Sequence, residues 1–416
     1  MTNINLKQFK KVYFVGIGGI GISAIARMMH LEGKEVIGSD MAENEMTREL
    51  AALGIPVTIG QGFDLIPKDA DLIVYTIAIP HYDPKLFEQI KNSGVSMKSY
   101  PEMLGIVTAN KYTIAVAGTH GKTTTTAMIA KILVDAGLDP SVIVGSLLKG
   151  YKSNLIVGKS EYFVVEACEY ERSFLNVHPK LVVIINIEAD HLDYYKDLAD
   201  IKGAFQEFEN QSENVINDYS KYLDKVPKLM VPGEHNRQDA AAALAVADFL
   251  KIDLGVAQKS LETFAGTWRR LEKKGETAEG VTIYDDYAHH PTEIRASLQA
   301  LRELYPRGQK NIVVLFQPHL YSRTRALFKE FSQAFTGADR VYLLPIYFAR
   351  ETQDDTISSE ILAEAIDLNG VTAYAFPDFE SAAEVIKALN LGKNDVFVTM
   401  GAGEAYKVAD QVFDFE

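Results

Sequence analysis

A cluster of residues suited to nucleotide chemistry lies at positions 117–124, directly after the β-branched run 112–116. A strand, a glycine turn and a Lys-Thr pair that opens a helix form a loop that holds the phosphates of a nucleotide. Lys122 would reach the β- and γ-oxygens, and the Thr123 hydroxyl could bind Mg²⁺. Val116 stands where the usual loop has its first glycine, so the pattern is a shortened variant. The sequence predicts ATP binding through Gly118, Thr119, His120, Gly121, Lys122, Thr123 and Thr124.

A second glycine-rich turn lies at 16–21, after a predicted strand at 12–15 and before a helical stretch that reaches His30. The pattern Gly-x-Gly-x-x-Gly, with Asp40 after the next predicted strand, is typical of a turn that receives a diphosphate. A nicotinamide dinucleotide would suit this turn, and so would any other pyrophosphate. The motif by itself therefore leaves the ligand open.

Acidic and histidine side chains follow the predicted strands of the middle of the chain. Glu166 ends a predicted strand at 161–166, where its carboxylate could hold Mg²⁺ beside Thr123. Glu169 follows three residues later and could hold or orient the same ion. His191 follows a strand at 181–187 and could join the same metal. Six of the nine histidines are expected in polar loops or after strands, which favours a functional site; they are His120, His191, His235, His289, His290 and His319.

The elements that must position these residues alternate between strand and helix along the whole chain. Further strands are predicted at 35–37, 72–76, 282–284, 312–316, 341–344 and 395–400, and helices at 84–92 and 239–250. Such alternation predicts parallel sheets whose ligands bind beyond the carboxyl ends of the strands. At 416 residues the chain is too long for one core. We predict an α/β protein of three domains, at 1–105, 106–267 and 268–416.

Composition excludes several classes of partner. The net charge of −14 argues against binding to nucleic acid or to an anionic membrane, because both need a basic surface. The single cysteine, Cys168, excludes a disulfide framework and fits a reducing compartment. The first residues lack the apolar core of a signal peptide, and no apolar run is long enough to span a membrane. A cytoplasmic protein is expected.

The motifs, in this order, resemble the Mur ligase family of peptidoglycan biosynthesis. The two longest matches are Asp-Asp-Tyr-Ala-His-His-Pro-Thr-Glu at 285–293 and Phe-Gln-Pro-His-Leu-Tyr-Ser-Arg-Thr at 316–324. Shorter matches lie at 16–21, 39–40, 118–124, 166, 173–175, 186–193, 233–236 and 269–270. The resemblance therefore covers nearly the whole chain.

The resemblance implies three domains: a Rossmann-like N-terminal domain, a P-loop ATPase central domain and a Rossmann-like C-terminal domain. It implies that a UDP-sugar binds at Gly16, Gly18, Gly19, Gly21, Ser39 and Asp40. It places Mg²⁺ on Thr123, Glu166 and His191, and the adenine near His235 and Asn236. The amino acid would bind at Tyr287, His289, His319 and Arg323. The catalytic residues would be Lys122, His191, His319 and Arg323.

The activity that the resemblance implies is an ATP-dependent ligase joining L-alanine to UDP-N-acetylmuramate. ATP would phosphorylate the carboxylate, the amine would attack the acyl phosphate, and ADP and phosphate would be released. The expected partners are these small molecules, with neither nucleic acid nor membrane involved, and the chain is expected to be a monomer or a weak homo-oligomer.

Four features depart from the family pattern. The common Glu-Ala-Asp-Glu-Ser-Asp reads Glu-Ala-Cys-Glu-Tyr-Glu at 166–171, and the His-Asn motif at 235 ends in Asp239 instead of asparagine. Leu320 stands where arginine is common, and only 42 positions separate His191 from Gly233, which suggests a trimmed central domain. These departures leave open a ligase that accepts a tripeptide and a non-catalytic ATP-binding protein. A dehydrogenase would use the glycine turn at 16–21 and Asp40, and it would leave the glycine loop at 118–124 unexplained.

Overall fold

The computed structural model describes residues 5–348 and 351–415. The chain forms two compact units. The first contains residues 1–187, 202–219 and 242–260, and the second contains 188–201, 220–241 and 261–416.

The first unit contains two sheets. The N-terminal sheet has five parallel strands in the order β3-β2-β1-β4-β5. They are β1 (Lys11–Val15), β2 (Glu35–Asp40), β3 (Val57–Ile59), β4 (Leu72–Tyr75) and β5 (Ser96–Ser99). Between and after them lie α1 (Ile20–Leu31), α2 (Glu45–Ala52), α3 (Ile79–Tyr82), α4 (Pro84–Lys91) and α5 (Tyr100–Thr108). Short 3₁₀ turns occupy Leu6–Gln8 and Phe63–Leu65.

The second sheet of this unit has the order β11-β10-β6-β9-β7-β8, and only β8 runs antiparallel to its neighbour. Its strands are β6 (Tyr112–Ala117), β7 (Ser141–Leu148), β8 (Ser153–Ile156), β9 (Tyr162–Glu166), β10 (Leu181–Ile184) and β11 (Asn214–Ile216). The helix α6 (Lys122–Asp135) follows β6. A 3₁₀ segment, Tyr170–Asn176, follows β9.

Three helices contain residues of both units: α7 (Leu198–Asn210), α8 (Glu234–Phe249) and α9 (Leu254–Glu262). A 3₁₀ segment, Ser220–Lys225, lies between the first two. The sequence predicts that the helix in this region begins at position 239, which is wrong. The helix begins five residues earlier, after Gly233, whose φ of +101° turns the chain into it. His235 and Asn236 therefore lie in its first turn instead of in a loop.

The second unit contains one sheet in the order β12-β13-β17-β14-β15-β16, in which only β12 is antiparallel. The strands are β12 (Glu272–Glu276), β13 (Thr282–Asp286), β14 (Asn311–Phe316), β15 (Arg340–Leu343), β16 (Thr372–Ala375) and β17 (Asp395–Met400). The helices are α10 (Pro291–Leu304), α11 (Tyr321–Ala326), α12 (Phe328–Ser332), α13 (Ser359–Leu368), α14 (Phe379–Ala388) and α15 (Tyr406–Val412).

The burial of β14 shows why this sheet is covered on both faces. Ile312, Val314 and Phe316 pack in one hydrophobic cluster, and the intervening Val313 and Leu315 pack in another. Alternate residues of a strand point to opposite faces, so a continuous apolar strand needs helices on both sides. The predicted α/β class with mostly parallel sheets is confirmed. In the described part of the chain, no helix is both long and apolar enough to cross a membrane.

Strand ends differ from the prediction where polar contacts decide the boundary. β2 and β13 continue beyond the predicted positions 37 and 284 to Asp40 and Asp286, because the acidic ends still pair with neighbouring strands. β10 stops at Ile184 instead of 187, and Asn186 turns to bind a neighbouring loop. The domain limits predicted at 105/106 and 267/268 stay predictions.

Candidate active site

The glycine loop between β6 and α6 is fastened to the segment that follows β10. The backbone N–H of His120 donates to Oδ1 of Asn186 at 2.8 Å, and the Asn186 amide donates back to the His120 carbonyl at 3.0 Å. The N–H of Thr119 donates to the Asn186 carbonyl at 3.0 Å. Gly118 and Gly121 have φ values of +150° and +83°, which favour glycine. The loop is thus held in one shape ahead of the helix N-terminus.

Lys122, the first residue of α6, folds back over this loop. Its Nζ donates to the carbonyls of Gly118 (2.6 Å) and Thr119 (3.0 Å) and lies 2.9 Å from Oε2 of Glu169. Burial alone would lower the pKa of Lys122, but the charges of Glu169 and Glu166 outweigh it and raise the pKa above the ordinary value. The Lys122 side chain therefore stays charged beside the carbonyls of Gly118 and Thr119.

Thr123 and Glu166 are brought together in the same unit. The Thr123 hydroxyl donates to Oε1 of Glu166 at 3.0 Å, and the N–H of Gly145 donates to Oε2 at 2.7 Å. Glu166 ends β9, which is paired in parallel with β6, so both groups lie at the same edge of the sheet. A hydroxyl and a carboxylate side by side are the oxygen donors that Mg²⁺ prefers. His191 lies in the second unit, and its part in this metal site stays a prediction.

The N-terminal glycine turn is shaped by Ser39 and Asp40. The Ser39 carbonyl accepts the N–H groups of Gly16 (2.8 Å) and Ile17 (3.0 Å), and Oδ2 of Asp40 accepts the N–H of Gly18 at 2.8 Å. A Cβ on Gly18 would lie 2.9 Å from that same oxygen. Ser39 and Asp40 thus contact the turn itself, which leads through Gly19 into α1.

Gly21, the last glycine of the pattern, lies against an aromatic ring. A Cβ at this position would lie 2.5 Å from the ring of Tyr100, the first residue of α5. A side chain here would push α1 away from α5, so the third glycine serves close packing behind the turn.

In the second unit, Arg323 joins an acid to a histidine. Its Nε and Nη2 donate to Oδ1 of Asp190 at 3.1 and 3.0 Å, and its Nη1 lies 3.2 Å from Nδ1 of His319. A guanidinium only donates, so His319 Nδ1 accepts and the proton of the neutral ring is on Nε2. Burial would raise the pKa of Asp190, but Arg323 and then His191 hold that pKa well below its usual range.

Tyr287 and His289 lie beside this group. The rings of Tyr287 and His289 are 5.4 Å apart, and those of His289 and His319 are 5.9 Å apart. His289 Nδ1 donates to the Tyr287 carbonyl at 2.9 Å. Burial lowers the pKa of His289 to about 4, although Glu293 acts in the other direction. The imidazole is therefore neutral at pH 7 and has its acceptor nitrogen at Nε2.

His235 and Asn236 occupy the start of α8. A Cβ on Gly233 would lie 2.6 Å from the His235 ring, so the ring packs where only glycine fits. The Asn236 amide donates to the Pro232 carbonyl at 2.6 Å. Burial lowers the pKa of His235 to about 4, against the effect of Glu293. Both side chains are thus fixed by the turn that starts the helix.

Comparison with known proteins identifies the family to which this chain belongs. The Mur ligase family catalytic domain matches residues 11–112, the Mur ligase middle domain matches 116–231, and the Mur ligase glutamate ligase domain matches 269–403. A protein from Agathobacter rectalis named UDP-N-acetylmuramate–L-alanine ligase is 39% identical over 99% of this chain and 99% of its own length. The chain belongs to the Mur ligase family. As a Mur ligase, it is an enzyme.

Two solved structures share the Mur ligase fold. UDP-N-acetylmuramate–alanine ligase from Thermotoga maritima has a TM-score of 0.82 and 28% identity, covering 97% of this chain and 98% of its own. A murein peptide ligase from Psychrobacter arcticus has a TM-score of 0.71 and 21% identity with the same coverage, which shows the fold alone. The alignment with the Agathobacter rectalis ligase spans 462 positions, so at least 46 of them have no residue in this 416-residue chain.

Within each unit of this Mur ligase, the structure gathers most of the predicted side chains. Lys122, Thr123 and Glu166 meet in the first unit, and the four predicted amino-acid contacts meet in the second. Sequence reasoning missed three residues that hold these groups: Asn186, Asp190 and Tyr347. The first two lie in post-strand segments and could have been suspected from that position. Tyr347 contacts His319 across 28 positions, and nothing in its local sequence indicates this.

Proposed function

We propose that this Mur ligase joins L-alanine to the carboxylate of UDP-N-acetylmuramate in peptidoglycan biosynthesis, with conversion of ATP to ADP and phosphate. The observation that carries the proposal is the end-to-end similarity to the Agathobacter rectalis ligase of that name. The geometry of both units supports it, because each holds groups suited to one part of this chemistry.

In the first unit, we assign the glycine loop and Lys122 to the phosphates of ATP. The helix N-terminus and the loop N–H groups favour an anion, and the Lys122 ammonium supplies positive charge where the γ-phosphoryl group moves. The carboxylate oxygen of the sugar attacks that phosphorus, ADP leaves, and an acyl phosphate forms. Thr123 and Glu166 would hold Mg²⁺, with His191 as the third proposed ligand. When bound, Mg²⁺ supplies charge that neutralises the phosphate oxygens.

In the second unit, we assign His319, Arg323, Tyr287 and His289 to the carboxylates and the amine. Arg323 and the Nε2–H of His319 are donors suited to a carboxylate. Neutral His289 can accept a hydrogen bond from an amine at Nε2, and its low pKa keeps it from repelling an ammonium. The neutral amine attacks the acyl carbon, phosphate leaves with one former carboxylate oxygen and takes up the proton that the nitrogen loses, and the amide remains.

The remaining assignments are proposals of the same kind. The diphosphate of the UDP-sugar is assigned to the turn 16–21 with Ser39 and Asp40, and the adenine to the neighbourhood of His235 and Asn236. The domains are proposed at 1–105, 106–267 and 268–416, each containing one of the three sheets. A cytoplasmic enzyme that is a monomer or a weak homo-oligomer fits the substrates and the single cysteine.

A ligase that accepts a tripeptide is the alternative. Leu320 favours it, because the family often has at this position an arginine that could bind the carboxylate of a free amino acid. In this chain the Leu320 side chain is 1% exposed and belongs to the core. The missing arginine would weaken the binding of a tripeptide less than that of a free amino acid, because the amine of the tripeptide lies far from its carboxylates.

The test measures phosphate release with ATP, Mg²⁺ and UDP-N-acetylmuramate, adding L-alanine or the tripeptide L-alanyl-γ-D-glutamyl-meso-diaminopimelate. We expect release to depend on the sugar and to be faster with L-alanine. Faster turnover with the tripeptide would establish the alternative instead. Phosphate release that does not depend on UDP-N-acetylmuramate would contradict both the L-alanine ligase and the tripeptide ligase. Lys122→Met serves as the inactive control.

A further inference from the structure

Tyr347 has no role in the proposed binding of substrates, yet its backbone is fixed directly beside His319. Its carbonyl accepts the N–H of Leu320 at 2.9 Å, and its own N–H donates to the Pro318 carbonyl at 2.8 Å. These two bonds form a short parallel bridge between Tyr347 and His319. Glu351 joins the same two segments of the chain a second time, because its carboxylate accepts hydrogen bonds from both the N–H (3.1 Å) and the hydroxyl of Ser322.

The aromatic ring of Tyr347 is stacked on the imidazole of His319. The ring centroids are 5.5 Å apart and the planes differ by 26°. Tyr347 is 40% exposed, so burial in a core does not account for the position of its ring. The torsion that rotates a histidine ring has broad minima, so neighbouring groups decide its orientation.

The backbone at the same place is strained. Leu320 has a φ of +71°, a conformation that costs free energy for a leucine and is typical of functional sites. The bridge from Tyr347 holds the Leu320 N–H in this conformation. The resulting turn leads directly into α11 and brings His319 within hydrogen-bond distance of Arg323.

We propose that Tyr347 is a positioning residue for His319. Its stacked ring fixes the imidazole plane so that Nδ1 accepts from Arg323 and Nε2–H is presented to the substrate carboxylate. The inference rests on the proposed function, in which His319 contacts that carboxylate. Tyr347 itself does not take part in the chemistry.

The experiment compares Tyr347→Leu, which removes the stack, with Tyr347→Phe, which keeps it. Phe348→Leu is the matched control, because Phe348 is the next residue, is 56% exposed and stacks on Tyr347 instead of on His319. The first readout is the side-chain ¹⁵N–¹H spectrum of histidine-labelled protein, with His319 assigned through His319→Gln. We expect one Nε2–H tautomer in the wild type and in Tyr347→Phe, and a mixture in Tyr347→Leu.

The second readout is steady-state kinetics. Loss of the stack should lower kcat/KM for L-alanine by about 3- to 10-fold, the range that an aromatic pair contributes. The KM for ATP should not change, and Tyr347→Phe and Phe348→Leu should behave like the wild type. An unchanged tautomer in Tyr347→Leu together with kinetics equal to those of Phe348→Leu would overturn the proposal. If the wild type does not ligate L-alanine, the proposed function fails, and the tautomer alone decides the role of Tyr347.

Discussion

The ion pair between Lys122 and Glu169 allows stability and catalysis to be separated at the ATP site. The Glu169 side chain is 3% exposed and that of Lys122 is 13% exposed, with Nζ and Oε2 at 2.9 Å. Lys122→Met keeps the length of the side chain but removes the charge that compensates a buried carboxylate. Removing one partner of a buried ion pair costs about 3–5 kcal/mol. This is a large part of the free energy of unfolding of a typical protein, which is about 5–15 kcal/mol.

The double variant Lys122→Met/Glu169→Gln removes both charges and should recover most of the lost free energy of unfolding. It should not recover activity, because the phosphates still lack the ammonium. We expect kcat to fall on the order of 10²–10³-fold in both variants, as for the loss of one charge-stabilising donor. Urea unfolding followed by far-ultraviolet circular dichroism gives the stability, and phosphate release gives kcat.

Lys131→Met is the matched control, since Lys131 forms an ion pair with Asp135 at 2.8 Å on the exposed face of the same helix. We expect it to cost less than about 1 kcal/mol. The reasoning is refuted if Lys122→Met is as stable as the wild type, or if the double variant is no more stable than the single one. Near-normal turnover of the double variant would refute the catalytic assignment of Lys122.

Three further predictions concern other parts of the enzyme. Thr123→Val removes the hydroxyl beside Glu166 and should raise the Mg²⁺ concentration needed for half-maximal activity, measured by titration at fixed ATP. Gly18→Ala places a Cβ 2.7 Å from a neighbouring side-chain nitrogen and should raise KM for UDP-N-acetylmuramate but not for ATP. Gly203→Ala, whose Cβ meets no atom within 4 Å, should change neither constant. The His289 pKa of about 4 lies below the unfolded value of about 6.5, so stability is lost as pH falls between these values. His289→Gln should reduce that slope in urea unfolding by up to about 1.4 kcal/mol per pH unit.

The sequence predicts well what depends on local pattern. The glycine loop before Lys122 and the turn at 16–21 are each defined by neighbouring residues, so they are recognisable without a structure. The grouping of His289 with His319 is also predictable, because β13 and β14 are parallel strands whose carboxyl ends meet at one edge of the sheet, on either side of β17.

Contacts between distant segments could not be predicted. Asp190 meets Arg323 across 133 positions, and Tyr347 meets His319 through a bridge between two loops. Helix ends were also missed where a single residue decides them: Gly233 starts α8 early and moves His235 into a helix. Local propensity contains no information on these pairings, which arise only when the sheet is assembled.

The central claim is that the carboxylate of UDP-N-acetylmuramate is activated as an acyl phosphate before L-alanine attacks. The most direct measurement uses UDP-N-acetylmuramate labelled with ¹⁸O in that carboxylate, with ATP, Mg²⁺ and L-alanine, and determines the label in the released phosphate by mass spectrometry. The account predicts one carboxylate oxygen in the phosphate for each amide formed. Phosphate without ¹⁸O, released together with the amide, would contradict it.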